Sequence, residues 1–192
     1  MSQAVAELAP AGAKPRRAWM TDTRSIVMLL MLGVATTGIQ QIAERLDTVL
    51  TGGTGFYVGH VTISTMTLAA AIFFGPMAWV VGTLSSTIGA LTATSPAAWY
   101  WIPDNIWIGL AIGAVAYTLN VRTDLWKKTL VLAAFQAIII TPIDYAGLYL
   151  ILLKLPLGAA LVASLPYVGL TFLAVPLTVG LVKAIEAAKL GL

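Results

Sequence analysis

YVGHVTISTMTLAAAIFFGPMAWVVGTLSSTIGALTA, residues 57–93, contains no aspartate, glutamate, lysine or arginine. A helix rises about 1.5 Å per residue and the hydrocarbon core of a bilayer is about 30 Å thick, so about 20 apolar residues make one crossing. This stretch is too long for a single crossing and needs a divider. Gly75-Pro76 supplies it, because glycine admits a tight turn and proline is tolerated in the first turn of a helix. The pattern predicts one helix over 57–74 and a second over 76–93.

The same ruler applies on either side. Arg24 and Glu44 bracket a first helix whose apolar heart is 26–42. After a loop over 94–103, a fourth helix is predicted over 104–120, with Asp104, next to Pro103, as its N-cap. Lys127 and Lys128 lead into a fifth, ending near 153 and interrupted by Pro142 and Asp144. The sixth is predicted over 166–183, with Pro176 as a kink. The chain therefore reads as an all-α integral membrane protein. Residues 24–192 form a single bundle of six transmembrane helices, and the polar, alanine-rich tail 1–23 is expected to be disordered.

Composition agrees. In 192 residues, 59% are hydrophobic and 10% charged, and mean hydropathy is +0.90, leaving too little polar surface for a soluble fold. With no cysteine and one histidine, disulfides, thiolate nucleophiles and Cys/His zinc sites are excluded. The net charge of +3 does not signal nucleic acid, since no basic stripe is interleaved with aromatics. Six crossings instead collect Lys14, Arg16, Arg17, Arg24, Arg122, Lys127, Lys128, Lys183 and Lys189 on one side and leave Arg45 and Lys154 on the other. This bias predicts that both termini are cytoplasmic.

Small residues indicate where helices meet, because backbones in lipid associate by close approach. Ala78, Gly82, Ser86, Gly89 and Ala93 share one helix face, and Gly109 and Gly113 form a G-x-x-x-G. Both are read as packing surfaces within the bundle.

A carboxylate within a span is expensive and is usually paired or turned toward a watery cavity. Asp144 is such a residue, just past the proline that frees the carbonyl of Ile138. The topology sets it level with Asp104, Asn105 and Trp107, with Tyr167 and Thr171, and with His60, Thr62 and Ser64. Polar and aromatic side chains from four helices thus converge on an outer layer suited to a small, flat, polar solute. Asp144, Asp104 and Asn105 are expected to supply hydrogen bonds. Trp101, Trp107, Tyr145 and Tyr167 are expected to supply stacking, and His60 lies in the same layer. Plainer readings compete: Trp99, Tyr100 and Trp101 as an interfacial belt, Asp104 as a cap, and His60 as an interfacial polar residue. The loop 44–59, with Thr51-Gly52-Gly53-Thr54-Gly55, has no phosphate-binding motif and reads as a cover or a connector.

ISTMTLAAAIFFGPMAWVVGTLSSTIGALTA (63–93) resembles the second and third helices of the substrate-binding S components of energy-coupling factor (ECF) transporters, joined by an F-G-P turn. VPLTVGLVKAIE (175–186) resembles their sixth helix. The A-x-x-x-A that this family often carries on its first helix is replaced here by Gly33/Thr37 and Ala35/Gly38. The resemblance implies capture of a vitamin-like micronutrient at the outer face of a prokaryotic cell membrane. It also implies a partner complex of one coupling transmembrane subunit and two ATPases. No cofactor is expected and no enzyme activity, since His60 is the sole histidine and neither H-E-x-x-H nor G-x-S-x-G occurs. A stand-alone secondary transporter or channel and a structural subunit of a membrane complex are the alternatives.

Overall fold

The computed structural model describes residues 23–52, 55–92 and 97–188. The tail expected to be disordered (1–22), the centre of the glycine-rich loop (53–54), the segment 93–96 and Lys189 lie outside the described residues. Among the described residues the protein is helical, with no strand. Five helical runs are long and apolar enough to cross a membrane: Thr23–Thr51, Tyr57–Thr92, Trp99–Leu119, Leu125–Ile151 and Leu157–Ala187.

Burial is arranged as lipid requires. Large apolar side chains such as Met31, Val34, Ile138, Val162 and Leu173 point outward, whereas Thr36, Ser64, Thr129, Gln136, Thr171 and Thr178 are buried. Helix α1 (Thr23–Thr51) shows the sorting, with Thr36, Thr37, Gln40, Ala43 and Asp47 on its buried face. Several buried hydroxyls bond to carbonyls of their own helix, as Thr37 Oγ1 donates to Gly33 O at 3.0 Å, so they bring no unmet donor into the bundle.

The run Tyr57–Thr92 divides where expected. Helix α2 (Tyr57–Phe74) stops at Gly75, whose φ of +57° is costly for a side chain with a Cβ, and a 3-10 turn over Gly75–Ala78 leads into α3 (Trp79–Thr92). The chain reverses there, because His60 near the start of α2 and Gly89 near the end of α3 line one cavity. A straight helix would hold them about 43 Å apart.

Helix α4 (Ala97–Leu119) packs its G-x-x-x-G on that turn. A Cβ on Gly113 would overlap the carbonyl of Gly75 and Cα of Pro76, and one on Gly109 would overlap the backbone of Trp79. The two backbones are thus in direct contact, as the small-residue pattern predicted. Gly82 on α3 likewise leaves room for the side chain of Asn105.

Three expected boundaries are corrected. Helix α4 begins at Ala97, so Asp104 lies two turns inside it and is not its N-cap; Pro103 is accommodated within the helix. The last helix, α7 (Leu157–Ala187), starts well before 166 and contains both Pro166 and Pro176. Proline is tolerated inside membrane helices when neighbours satisfy the freed backbone groups, and no charged residue interrupts 157–182. Helix α1 continues past Glu44 to Thr51, so the first half of the expected loop 44–59, with Asp47, is helical.

The fifth predicted helix is composite. Helix α5 (Leu125–Phe135) passes through a π-helical turn over Gln136–Ile140 into α6 (Thr141–Ile151). At the junction the Thr141 amide donates to Gln136 O, five residues back. Pro142 explains the widening: its ring displaces the carbonyl four residues earlier and it has no amide hydrogen to offer.

At the end of the bundle that holds Lys127 and Lys128, Arg122 Nη2 donates to Glu186 Oε1 at 2.7 Å, and its guanidinium lies 5.4 Å from the centre of the Phe73 ring. This joins the α4–α5 connection to the ends of α2 and α7. Arg122→Ala is expected to cost about 1 kcal/mol, the usual scale for a half-buried ion pair with a cation–π contact. Unfolding in detergent measures that loss.

Candidate functional site

A cavity of about 430 Å³ opens at the end of the bundle opposite Arg122. It lies among the end of α1, the start of α2, the end of α3, the first turns of α4, the π turn with α6, and the first third of α7. Its volume falls within the ordinary range for small-molecule sites, about 300–1,000 Å³.

Four helices supply an aromatic wall. Tyr145 and Tyr167 stack face to face with ring centres 3.7 Å apart and planes 12° from parallel. Trp101 meets Tyr145 edge-on at 5.7 Å and stacks on Phe56 at 6.1 Å. His60 sets its edge against both tyrosines, at 5.3 and 5.4 Å. Both His60 nitrogens are engaged: Nδ1 is 3.0 Å from Tyr145 Oη, and Nε2 is 2.8 Å from Thr171 Oγ1. The single hydroxyl proton of Thr171 goes to Tyr167 O at 2.9 Å, so Thr171 Oγ1 must accept from His60. That assigns the proton to Nε2 and makes Tyr145 the donor to Nδ1. His60 therefore holds Tyr145 and α7 in register, and neither of its ring nitrogens is left for a ligand.

The polar wall is different in kind. Asp104 Oδ1 accepts from Trp107 Nε1 at 2.8 Å, while Asp104 Oδ2 and Asp144 Oδ1 are buried without a hydrogen-bond partner. The two carboxyl groups belong to the same stretch of cavity wall. Gln40 Oε1 and Gln136 Oε1 are also buried and unpartnered, while their amide nitrogens donate to Glu44 Oε1 and Ser64 Oγ. Unmet buried acceptors cost about 1–3 kcal/mol each, and they point to something that supplies donors.

Of the residues expected from sequence, Asp144, Asp104, Asn105, Trp101, Tyr145, Tyr167 and His60 line this cavity. Trp107 is not among the lining residues; it packs against the apolar core and positions Asp104. Asn105 lines the cavity, but its amide nitrogen already donates to Ser86 Oγ and Trp101 O, both at 2.8 Å, bracing α3 against α4. Tyr100 reaches inward to donate to Asp144 O at 2.9 Å, and Trp99 is exposed, as an interfacial residue would be.

Sequence reasoning missed the contribution of α1. Gln40, Glu44 and Asp47 recur at helical spacing on one face, a signal hidden by reading 44–59 as a loop. Gln136, an amide in mid-span, was overlooked too.

Asp47 has a structural task. Its carboxylate accepts from the first three amides of α2: Tyr57 and Val58 at 2.9 and 2.8 Å to Oδ1, and Gly59 at 2.7 Å to Oδ2. A negative charge at a helix N-terminus also favours the macrodipole. The carboxylate thus ties the ends of α1 and α2 together and shapes the loop beside the cavity. Asp47→Ala should destabilise the protein by about 2 kcal/mol, and Asp47→Asn, which keeps one acceptor, by less. Thermal unfolding of the three proteins side by side checks that order.

The chain matches no protein-family model, and no curated protein or solved structure is similar to it.

Proposed function

We propose that the protein is a membrane-embedded solute-binding subunit that captures a vitamin-like, flat micronutrient in this cavity, working with an ECF-type coupling subunit and two ATPases. On this reading the hairpin at Gly75 makes six crossings of the five apolar runs. Both termini face the cytoplasm of a prokaryotic cell, and the cavity opens outward. The lysine and arginine bias supports that orientation, since Arg24, Arg122, Lys127, Lys128 and Lys183 lie at the end away from the cavity.

The observation that carries the reading is the cavity itself, lined both by aromatic rings and by buried carboxyl and amide side chains with unmet oxygens. A structural subunit has no need of such a hollow. Mass spectrometry of the detergent-purified protein tests it: a stoichiometric small molecule is expected, and a preparation that is empty and binds no solute would sink the proposal.

The π turn beside Asp144 also suits a stand-alone secondary transporter, in which a carboxylate at a broken helix carries the coupling ion. Liposomes separate the two. The binding subunit alone gives no ion-gradient-driven uptake, whereas a secondary transporter does.

A further inference from the structure

The chemistry of the cavity wall narrows what can occupy it. Among the described residues no lysine or arginine lines the cavity, while Glu44, Asp47, Asp104 and Asp144 do. The charge of Asp47 is met by three backbone amides, so it makes no demand on a ligand. The buried unmet atoms of the lining residues are all acceptors. Gln40, Asp104, Gln136 and Asp144 are each at least nine-tenths buried, and each has a side-chain oxygen without a partner. The amide of Gln40 has its orientation set by Glu44, because a carboxylate accepts only from its nitrogen.

Several donors in the wall, and one behind it, are already engaged within the protein. Asn105 gives its hydrogens to Ser86 and Trp101, Trp107 gives its hydrogen to Asp104, and Tyr145 gives its own to His60. An occupant with exposed carboxylates would meet no lysine or arginine among the described residues and would face the acidic side chains of Glu44, Asp104 and Asp144. A flat cation with several N–H groups would satisfy the oxygens and lie against the electron-rich faces of Trp101 and Tyr145.

Resting on the solute-binding reading above, we infer that the substrate is a planar organic cation bearing multiple N–H donors, an amidinium or amino-substituted heteroaromatic, held between the Asp104–Asp144 pair and the aromatic wall. The donors go to Asp104, Asp144 and the two glutamines, and the ring goes to the tyrosine–tryptophan side. Among the described residues no group of three His, Cys, Asp or Glu side chains converges as metal ligands would, and the aromatic wall favours an organic ring over a bare ion.

Three probes of one shape test the class: benzamidinium, neutral benzamide and anionic benzoate, titrated as salts of matched ionic strength into the full-length protein in detergent. Binding is read by calorimetry and by tryptophan fluorescence. Benzamidinium is expected to bind about tenfold or more tighter than benzamide, the difference that charge-assisted hydrogen bonds make, with no saturable response to benzoate. In the Asp104→Asn, Asp144→Asn double variant that preference should fall toward parity. Equal binding of benzamide and benzamidinium means the aspartates share a proton and need no cation, which overturns the inference. Preferential binding of benzoate overturns the substrate class while leaving a working solute site. If no probe binds and no small molecule accompanies the purified protein, the class and the solute-binding reading fail together.

Discussion

Gly113→Ala is expected to cost about 3 kcal/mol or more and to reduce the yield of folded protein sharply, although it adds only a methyl group. The added Cβ would overlap the Gly75 carbonyl and Cα of Pro76. Backbone atoms in a turn with positive φ cannot swing aside as a side chain can, so α4 must move away from the hairpin that it clamps. Overpacking usually costs about 1–3 kcal/mol, and this site lies at the upper end because the obstacle is rigid. Gly180→Ala is the control: nothing lies within 4 Å of a Cβ there, and the helix propensity of alanine makes the change neutral or mildly favourable. Size-exclusion profiles and thermal midpoints in detergent compare the two. Equal stability of Gly113→Ala and the parent protein would mean that α4 and the turn are not in backbone contact.

Asp144→Ala is expected to separate binding from stability. If the cavity holds a solute as proposed, losing a buried carboxylate that meets its donors costs about 2–5 kcal/mol of binding, roughly 30-fold or more in affinity. The fold has little to lose. Oδ1 has no partner, and the neighbour that approaches the carboxyl group is another carboxyl group, on Asp104. Removing an unmet acceptor from a buried wall leaves the ligand-free protein as stable as before, or more so. Lower affinity with an unchanged or raised melting temperature is the signature of a residue kept for binding. Unfolding together with unchanged affinity would assign Asp144 to packing and remove it from the site.

Asp104 stands where a short motif misleads about helix structure. Asp-after-Pro is a reasonable helix start, yet the helix begins at Ala97, and the carboxylate faces the cavity from its third turn. Local propensity placed a cap where tertiary packing wanted an acceptor. Trp107 is the complementary case: its position three residues on brings its indole nitrogen back to Asp104, so it positions the carboxylate and does not line the cavity. His60 was legible only as a polar residue near a helix start. Its partners, Tyr145 and Thr171, lie 85 and 111 residues away, and no local pattern records them.

What the amino-acid order determined alone is the helical, membrane-suited character of the chain and its main divisions. Charge-free length and the Gly75-Pro76 break depend on backbone geometry and on the cost of charge in hydrocarbon, and both are properties of neighbours in sequence. The cavity was decided by tertiary structure. Its unmet oxygens come from α1, α4, the π turn and α6, and an oxygen is unmet only with respect to everything packed around it. Whether a buried carboxylate is a cap, an ion-pair partner or a waiting acceptor depends on which distant groups reach it, and only the folded bundle sets those distances.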